Sequence, residues 1–175
     1  MKAKLSGGDL FGAVPLLNEF KKRVKDGEFK GVNLEKIDYF IGLGYMTGYS
    51  ASRDKNLLKK ATDQFEHYIK IYPNGGDIHY VLLNKVDCHR GTGDFKGAIV
   101  TLKALLAQPY ISRLRIKERI DSMEKLVQAY YFEQMWDEGI PWFEKFLKIT
   151  HDKEKKTMAA AALTEAYVAK EKFEK

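Results

Sequence analysis

The chain has 175 residues, of which 45% are hydrophobic and 31% are charged, and its net charge is +6. This length and composition are those of a folded domain with a continuous core. The single cysteine, Cys88, excludes an internal disulfide and a multi-cysteine metal site. The sequence has no run of about 18 apolar residues, which excludes a transmembrane helix. Four prolines and few stretches of β-branched residues favour helices over strands.

The first predicted element is a lone helix over residues 8–30. Residues 1–6 carry charge with no apolar stretch behind them, so no signal peptide is expected. Asp9 and Asp94, each of which follows a glycine, are candidate N-caps. Pro15 should lie in the first turn of a helix that begins near Asp9, because a proline costs about 3 kcal/mol in a helix interior and little in the first turn.

A four-residue pattern recurs along the chain and marks the second helix of each predicted pair. It consists of a large apolar residue, a small residue three positions later, an apolar residue after four more, and another after three more. These steps place all four side chains on one helical face, and the small residue allows a neighbouring helix to approach closely. Pro141 matches Pro15 and places one such helix near Asp137. The copies are Leu10, Ala13, Leu17, Phe20; Leu58, Ala61, Phe65, Tyr68; Phe95, Ala98, Leu102, Leu105; and Trp136, Gly139, Phe143, Phe146.

Four other amphipathic segments predict the first helices of the pairs, over about 34–47, 77–90, 112–132 and 155–169. Loops are expected at Gly48 to Asn56, at Pro73 to Gly76 and at Pro109. The charged run Lys153 to Lys156 is expected to be a solvated loop. The predicted core residues of the first helices are Ile41, Gly42, Tyr45; Leu82, Val86, His89; Met123, Leu126, Tyr130; and Ala160, Leu163, Tyr167.

Three stretches carry a family resemblance: Ile41, Gly42, Tyr45 with Ala61, Phe65, Tyr68, Pro73; Gly93, Asp94, Phe95 with Ala98; and Leu126, Tyr130 with Trp136, Gly139, Phe143. A glycine and an aromatic residue at the inner turn, followed by a small residue and a proline, resemble the tetratricopeptide repeat (TPR). The anchors Leu58, Phe95, Trp136 and Phe173 are 37, 41 and 37 residues apart. That spacing exceeds the family's period of about 34 residues. Related half-a-TPR or Sel1-like repeats therefore stay open.

The resemblance implies an all-α fold, a right-handed α-solenoid of antiparallel helix pairs. A single repeat domain over 1–175 would contain a lone second helix (8–30), three complete pairs (34–72, 77–108, 112–150) and the first helix of a truncated pair (155–175). Because a repeat cannot bury its apolar face alone, the chain is interpreted as a fragment of a longer, bacterial TPR protein. Self-association through the ends of the array is the alternative.

The sequence gives little support for catalysis, a metal site or a cofactor. The four histidines, His67, His79, His89 and His151, have no metal-ligand spacing, and His89 falls where the family packs an aromatic core residue. Gly91 to Gly93 with Gly97 follows a helix rather than a strand, so these glycines serve a turn and not a phosphate site.

The resemblance also implies a groove, lined by first-helix residues that lie just beside the core stripe. Only Asn84 and Lys125 resemble the clamp with which some family members hold an acidic C-terminal peptide, and Leu43 and Asp87 stand where that clamp needs asparagine. Chaperone-tail binding is therefore not expected. The predicted groove residues are Tyr39, Phe40, Leu43, Met46, Tyr80, Leu83, Asn84, Asp87, Glu124, Lys125, Gln128 and Tyr131.

Together these features predict a non-catalytic scaffold that binds a peptide or protein partner in the groove. The ending Ala61, Phe65, Tyr68, Ile69, Tyr72, Pro73 resembles those of exported bacterial repeat proteins and suggests a role in cell-envelope assembly. RNA binding, favoured only by the basic charge, and regulation of an enzyme in a longer chain are the alternatives. Lysines dispersed among 24 acidic residues disfavour nucleic acid. The compartment stays open between cytoplasm and, if a signal segment was removed, bacterial periplasm.

Overall fold

The computed structural model describes residues 9–173, which form eight α-helices, one short 3₁₀ helix and no strand. The prediction of an all-α fold is confirmed. The chain divides into two compact units, residues 1–93 with helices α1–α4 and residues 94–175 with helices α5–α8. The helices are α1 (Leu10–Lys25), α2 (Leu34–Ser52), α3 (Lys55–Ile71), α4 (Ile78–Thr92), α5 (Phe95–Leu105), the 3₁₀ helix (Tyr110–Arg113), α6 (Ile116–Phe132), α7 (Trp136–Ile149) and α8 (Lys153–Phe173).

The predicted absence of a signal peptide in residues 1–6 lies outside the described residues. The last anchor, Phe173, was expected to start a further second helix, but it is the last residue of α8. The boundary between the two units falls in the turn at Gly93 and Asp94, inside the predicted pair 77–108. The single repeat domain and its division into pairs stay predictions.

In the first unit, each helix packs against the next one along the chain. The recurring pattern supplies the buried face of α3, where Leu58, Ala61, Phe65 and Tyr68 are at most 2% exposed. Between α1 and α2, the core is a cluster of small and aliphatic side chains: Ala13, Val14, Leu17, Ile37 and Ile41. Burial of such apolar side chains is the main favourable contribution to folding.

Glycine lets α2 approach both of its neighbours closely. A Cβ atom at Gly42 would lie 2.8 Å from Cδ1 of Phe65, and one at Gly44 would lie 3.0 Å from the backbone oxygen of Leu10. Both distances are shorter than normal van der Waals contact. Gly42, part of the signature that resembles the TPR, is therefore a packing residue between α2 and α3.

A buried carboxylate joins the first three helices. Asp38 on α2 is fully buried and forms an ion pair with Lys21 of α1. It also accepts hydrogen bonds from Gln64 Nε2 of α3 at 3.0 Å and from the hydroxyl of Tyr72 at 3.2 Å. Burial and the neighbouring Asp38 carboxylate raise the pKa of Tyr72. A buried charge that keeps a cation and several donors is satisfied, so this cluster fixes α1 against the α2–α3 pair.

In the second unit, the recurring pattern is again buried. On α5, Ala98, Leu102 and Leu105 are completely buried, and on α7 Phe143 and Phe146 are too. Their helices pack in sequence, α5 on α6, α6 on α7 and α7 on α8. The prediction that this pattern marks the packed face of every second helix is confirmed in both units.

The structure confirms Asp9 and Asp94 as N-caps, but the prediction that Pro15 and Pro141 lie in the first turn of their helices is wrong. The Oδ1 atom of Asp9 accepts a hydrogen bond from the backbone N–H of Gly12 at 2.7 Å, and Asp94 caps α5 in the same way. Pro15 and Pro141 are each the sixth residue of their helix and so lie in the second turn. Both rings point outward and are exposed, which keeps them away from the packed face.

Two predicted limits, one of a loop and one of a helix, are corrected. The expected loop from Gly48 to Asn56 is helical as far as Ser52. Gly48 does not break the helix, and the ring of Phe11 packs against it. The chain reverses at Arg53, which adopts a left-handed conformation with φ of 59°. In the segment that starts at residue 112, the α-helix begins only at Ile116, after the short 3₁₀ helix.

The last helix differs from its prediction in two ways. The expected loop Lys153 to Lys156 is the first turn of α8, because Asp152 Oδ1 accepts from the N–H of Lys155 at 3.0 Å and so caps the helix. The buried residues are Ala159, Ala162 and Ala166, whereas the predicted core residues Ala160 and Tyr167 are exposed and Leu163 is half-buried. The packed face is thus rotated by one residue.

Candidate protein-binding surfaces

Helices α2 and α4 lie side by side in the first unit and present eight of the predicted groove residues. Asn84 Nδ2 on α4 donates a hydrogen bond to the hydroxyl oxygen of Tyr39 on α2 at 3.1 Å. The Tyr39 ring lies 6.5 Å from the ring of Phe65 and 6.4 Å from that of Tyr68, measured between centroids. Burial raises the pKa of Tyr39, so this phenol is a neutral group held in place by the core of the α2–α3 pair.

Aromatic side chains project from this surface. Phe40 is 41% exposed and Tyr80 is 42% exposed, and the Tyr80 ring lies 3.9 Å from the ring of His79. Leu43, Met46, Leu83, Asn84 and Tyr39 are half-buried, whereas Asp87 is exposed. We call these eight residues the α2–α4 surface: Tyr39, Phe40, Leu43, Met46, Tyr80, Leu83, Asn84 and Asp87.

Two lysines near the α2–α4 surface are engaged in ion pairs. Lys36 of α2 forms an ion pair with Asp77, the residue before α4, and the hydrogen bond with Asp77 raises the pKa of Lys36. Lys85 pairs with Glu66 at 3.0 Å. The centre of the surface is therefore aromatic and aliphatic with one amide group, which is the composition of a protein-binding site rather than of an ion-binding site.

The turn between α3 and α4 fixes the position of α4. The hydroxyl of Tyr68 donates to Glu35, whose Oε1 atom also accepts from the N–H of Asp77 at 3.4 Å. A Cβ at Gly75 would lie 2.7 Å from the Tyr68 hydroxyl, so glycine lets the turn pack closely against this hydrogen bond. Burial and the hydrogen bond to Glu35 raise the pKa of Tyr68 strongly. The turn Pro73 to Gly76 and its contacts with Tyr68 and Glu35 thus position α4 beside α2.

In the second unit, α6 carries the other four predicted groove residues and lies beside α8. Glu124 of α6 pairs with Lys155 at 2.5 Å, Gln128 Nε2 lies 3.8 Å from Met158 Sδ, and the Tyr131 hydroxyl donates to Glu165 at 3.2 Å. Lys125 is half-buried. These side chains are mainly engaged with α8, so they form a more polar surface than the α2–α4 surface.

The predicted groove residues thus fall into two sets, eight in the first unit and four in the second. Sequence reasoning missed a further surface in the second unit, on the outer side of α5. There Phe132 is 59% exposed and stacks on Phe95 with ring centroids 4.7 Å apart, beside a pocket of about 470 Å³. The available signal was Val100, an apolar residue off the packed face of α5, which is 69% exposed.

The described residues show little that suggests another chemistry. Among residues 9–173, no three His, Cys, Asp or Glu side chains come together as a metal site would need. None of the helices in that range is both long and apolar enough to span a bilayer. His89 is 9% exposed, as expected for a core histidine, and burial raises the pKa of the fully buried Cys88 thiol to about 12, which opposes its ionisation at neutral pH.

Two solved structures share this arrangement of helices. Both show the nearly identical TPR-like repeats of a Podosopora anserina protein described as a kinesin light chain, and one of them carries a point substitution. Each matches with a TM-score of 0.60 at 17% sequence identity, over 98% of this chain and 83% of the other. No protein-family model matches the sequence, and no curated protein matches it. The similarity to the two solved structures shows that the chain has the predicted TPR-like repeat fold.

Proposed function

We propose that the protein is a non-catalytic scaffold that binds a peptide or protein segment on the faces of its first helices. The observation that carries this proposal is the α2–α4 surface, where the exposed rings of Phe40 and Tyr80 stand among aliphatic side chains. Folded proteins leave such aromatic clusters exposed chiefly where a partner covers them. Helix-repeat folds present residues of this kind on extended binding surfaces.

The chemistry of the surface selects an apolar partner segment. The neighbouring lysines pair with Asp77 and Glu66, so they offer little net charge to an acidic or a basic ligand. Asn84 contributes an amide beside these rings, and a carboxamide can hydrogen-bond to the backbone of a bound peptide. We infer that the partner supplies one or two large apolar side chains to the α2–α4 surface. In the second unit, the separate and more polar surface of α6 offers Glu124, Lys125, Gln128 and Tyr131 to a peptide or protein segment. The cell-envelope role has no support beyond the sequence resemblance.

A displayed library of random peptides tests the proposal. Peptides selected on the 175-residue protein are expected to be rich in apolar and aromatic residues. Their affinity should fall at least about tenfold, or about 1.4 kcal/mol, in the variant Phe40→Ser, Tyr80→Ser, because both side chains are exposed and their loss removes contact area. Ile71→Ser is the matched control, since Ile71 is 51% exposed on α3.

Circular dichroism must show that both variants keep the helical fold. Equal binding of the selected peptides to the parent chain and to the double variant would remove the α2–α4 surface from the proposal. A library that yields no binder at all, or only strongly acidic binders, would contradict the proposed class of partner.

A further inference from the structure

The outer side of α5 forms one wall of a groove within the second unit. The other wall is the α6–α7 turn and the first turn of α7. The pocket of about 470 Å³ lies between these walls, and we call it the outer groove: Lys96, Ile99, Val100, Lys103, Glu133, Met135 and Glu138. It involves none of the proposed binding residues on α2, α4 or α6.

The middle of the outer groove is apolar. Ile99 is 4% exposed and forms its floor, Met135 is half-buried, and Val100 is 69% exposed at the rim. Next to Lys96 and Glu133, the exposed ring of Phe132 extends the apolar surface by its stacking on Phe95. Burial of these apolar side chains by a bound apolar residue would remove them from water and so favour binding.

The rim of the outer groove is charged, with opposite signs on the two walls. Lys96 and Lys103 stand on the α5 wall, and Glu133 and Glu138 stand on the facing wall. Lys96 Nζ lies 3.9 Å from Glu133 Oε2, and Lys103 Nζ lies 3.9 Å from Glu138 Oε2. Both lysines are more than half exposed, so these long ion pairs contribute little to stability and can open for other partners.

We propose that the outer groove docks an amphipathic helix of a partner protein. That helix carries a stripe of aliphatic residues, flanked by acidic residues that face Lys96 and Lys103 and by basic residues that face Glu133 and Glu138. Charge complementarity argues for this occupant, since a ligand of one charge sign would meet repulsion from one of the two walls.

The spacing of the α5 residues argues for a helical occupant. Lys96, Ile99, Val100 and Lys103 lie at i, i+3, i+4 and i+7, which is one face over two turns, or about 10 Å. A helix laid along this face can present its own i, i+3, i+4 and i+7 side chains to the groove, as in other helix-in-groove interactions.

A displayed library of helical peptides, each about 18 residues or 27 Å long, tests the proposal. Every peptide has the same aliphatic stripe, and the positions on both sides of the stripe are randomised among Glu, Lys and Gln. Selection on the 175-residue protein should enrich Glu on one flank and Lys on the other. Val100→Asp should weaken the selected peptides at least about tenfold, because it places a carboxylate where the aliphatic stripe of the peptide would pack. Ile116→Asp is the matched control, since Ile116 is 75% exposed outside the groove.

A charge reversal provides the second arm of the experiment. In the variant Lys96→Glu, Lys103→Glu both walls are acidic, so selection should shift to peptides with Lys on both flanks. Flanks without charge preference, peptides that tolerate a central proline, or equal binding to the Val100→Asp variant would overturn the proposal. Self-association of the parent chain that Val100→Asp abolishes would also overturn it, because the occupant would then be a second copy.

Discussion

The replacement Gly42→Ala gives a test in which two physical effects have opposite signs. Gly42 lies inside α2, where exchange of glycine for alanine normally favours the helix by about 1 kcal/mol. In this structure, however, the new methyl group would lie 2.8 Å from Cδ1 and Cζ of Phe65. Phe65 is completely buried, so its ring has no free space to move into.

The expected magnitude follows from these two terms. Overpacking of a buried site costs about 1–3 kcal/mol, and contacts below 3 Å to several atoms of an immobile ring place Gly42→Ala near the upper limit. After the gain in helix propensity is subtracted, the free energy of unfolding should fall by about 2 kcal/mol. Ser50→Ala on the exposed side of α2 is the control, and it should raise the stability slightly.

Urea denaturation followed by far-UV circular dichroism measures the change. Dichroism is the better probe because both tryptophans, Trp136 and Trp142, lie in the second unit. In a Phe65→Leu background, Gly42→Ala should cost much less, since the smaller side chain leaves room for the methyl group. The reasoning is refuted if Gly42→Ala stabilises the parent chain as much as Ser50→Ala does.

Two further predictions concern buried polar groups of the first unit. Lys21→Met leaves the Asp38 carboxylate buried without its cation and should lower the free energy of unfolding by about 3 kcal/mol, whereas Arg23→Met, at an exposed ion pair, should change it by less than about 1 kcal/mol. Equal losses in the two variants would contradict the proposed role of Asp38. The Cys88 thiol should resist Ellman's reagent at pH 8 until urea unfolds the chain. Because folding raises its pKa from 9.0 to about 12, the folded state keeps a proton that the unfolded state releases, and stability should fall as pH rises through this interval. The decline should be shallower in Cys88→Ala, and identical slopes would refute this explanation.

The helix-pair pattern was predictable because it depends on residue size. A small residue is needed wherever two helix axes approach closely, and a large apolar residue fills the space one turn away. Ala61 and Phe65 on α3 and Ala98 and Leu102 on α5 follow this requirement, and all four are buried. Such a requirement repeats in each pair, so it is visible in a single sequence without knowledge of the neighbouring helix.

The prediction of the packed face of α8 was wrong because the sequence of this helix has two apolar stripes one residue apart. Leu163 and Tyr167 are the larger side chains, and size alone assigns them to the core. In the structure, Ala159, Ala162 and Ala166 pack instead, while the hydroxyl of Tyr167 donates to Glu144 of α7 at 2.9 Å. The choice depends on how closely the neighbouring helices approach, and this distance is not encoded within α8.

Val100 off the packed face of α5 was a single signal, but the outer groove as a whole could not be predicted, for a similar reason. Val100 and Phe132 are apolar residues in helices whose buried faces are already complete, and single exposed apolar residues are common on protein surfaces. What distinguishes them is that the α6–α7 turn brings Glu133 and Met135 opposite α5. Contacts between elements distant in sequence create this site, whereas the α2–α4 surface follows from the helical period.

The glycines of α2 connect the fold with the proposed binding site. Gly42 admits the ring of Phe65 from α3, and Gly44 and Gly48 admit α1, so two sides of α2 are occupied by closely packed neighbours. Tyr39 and Phe40 belong to the remaining side, toward α4. A larger residue at Gly42 would meet the buried ring of Phe65, and one at Gly44 would meet the backbone of Leu10. The residues that permit close packing therefore also determine which side chains of α2 stay available to a partner.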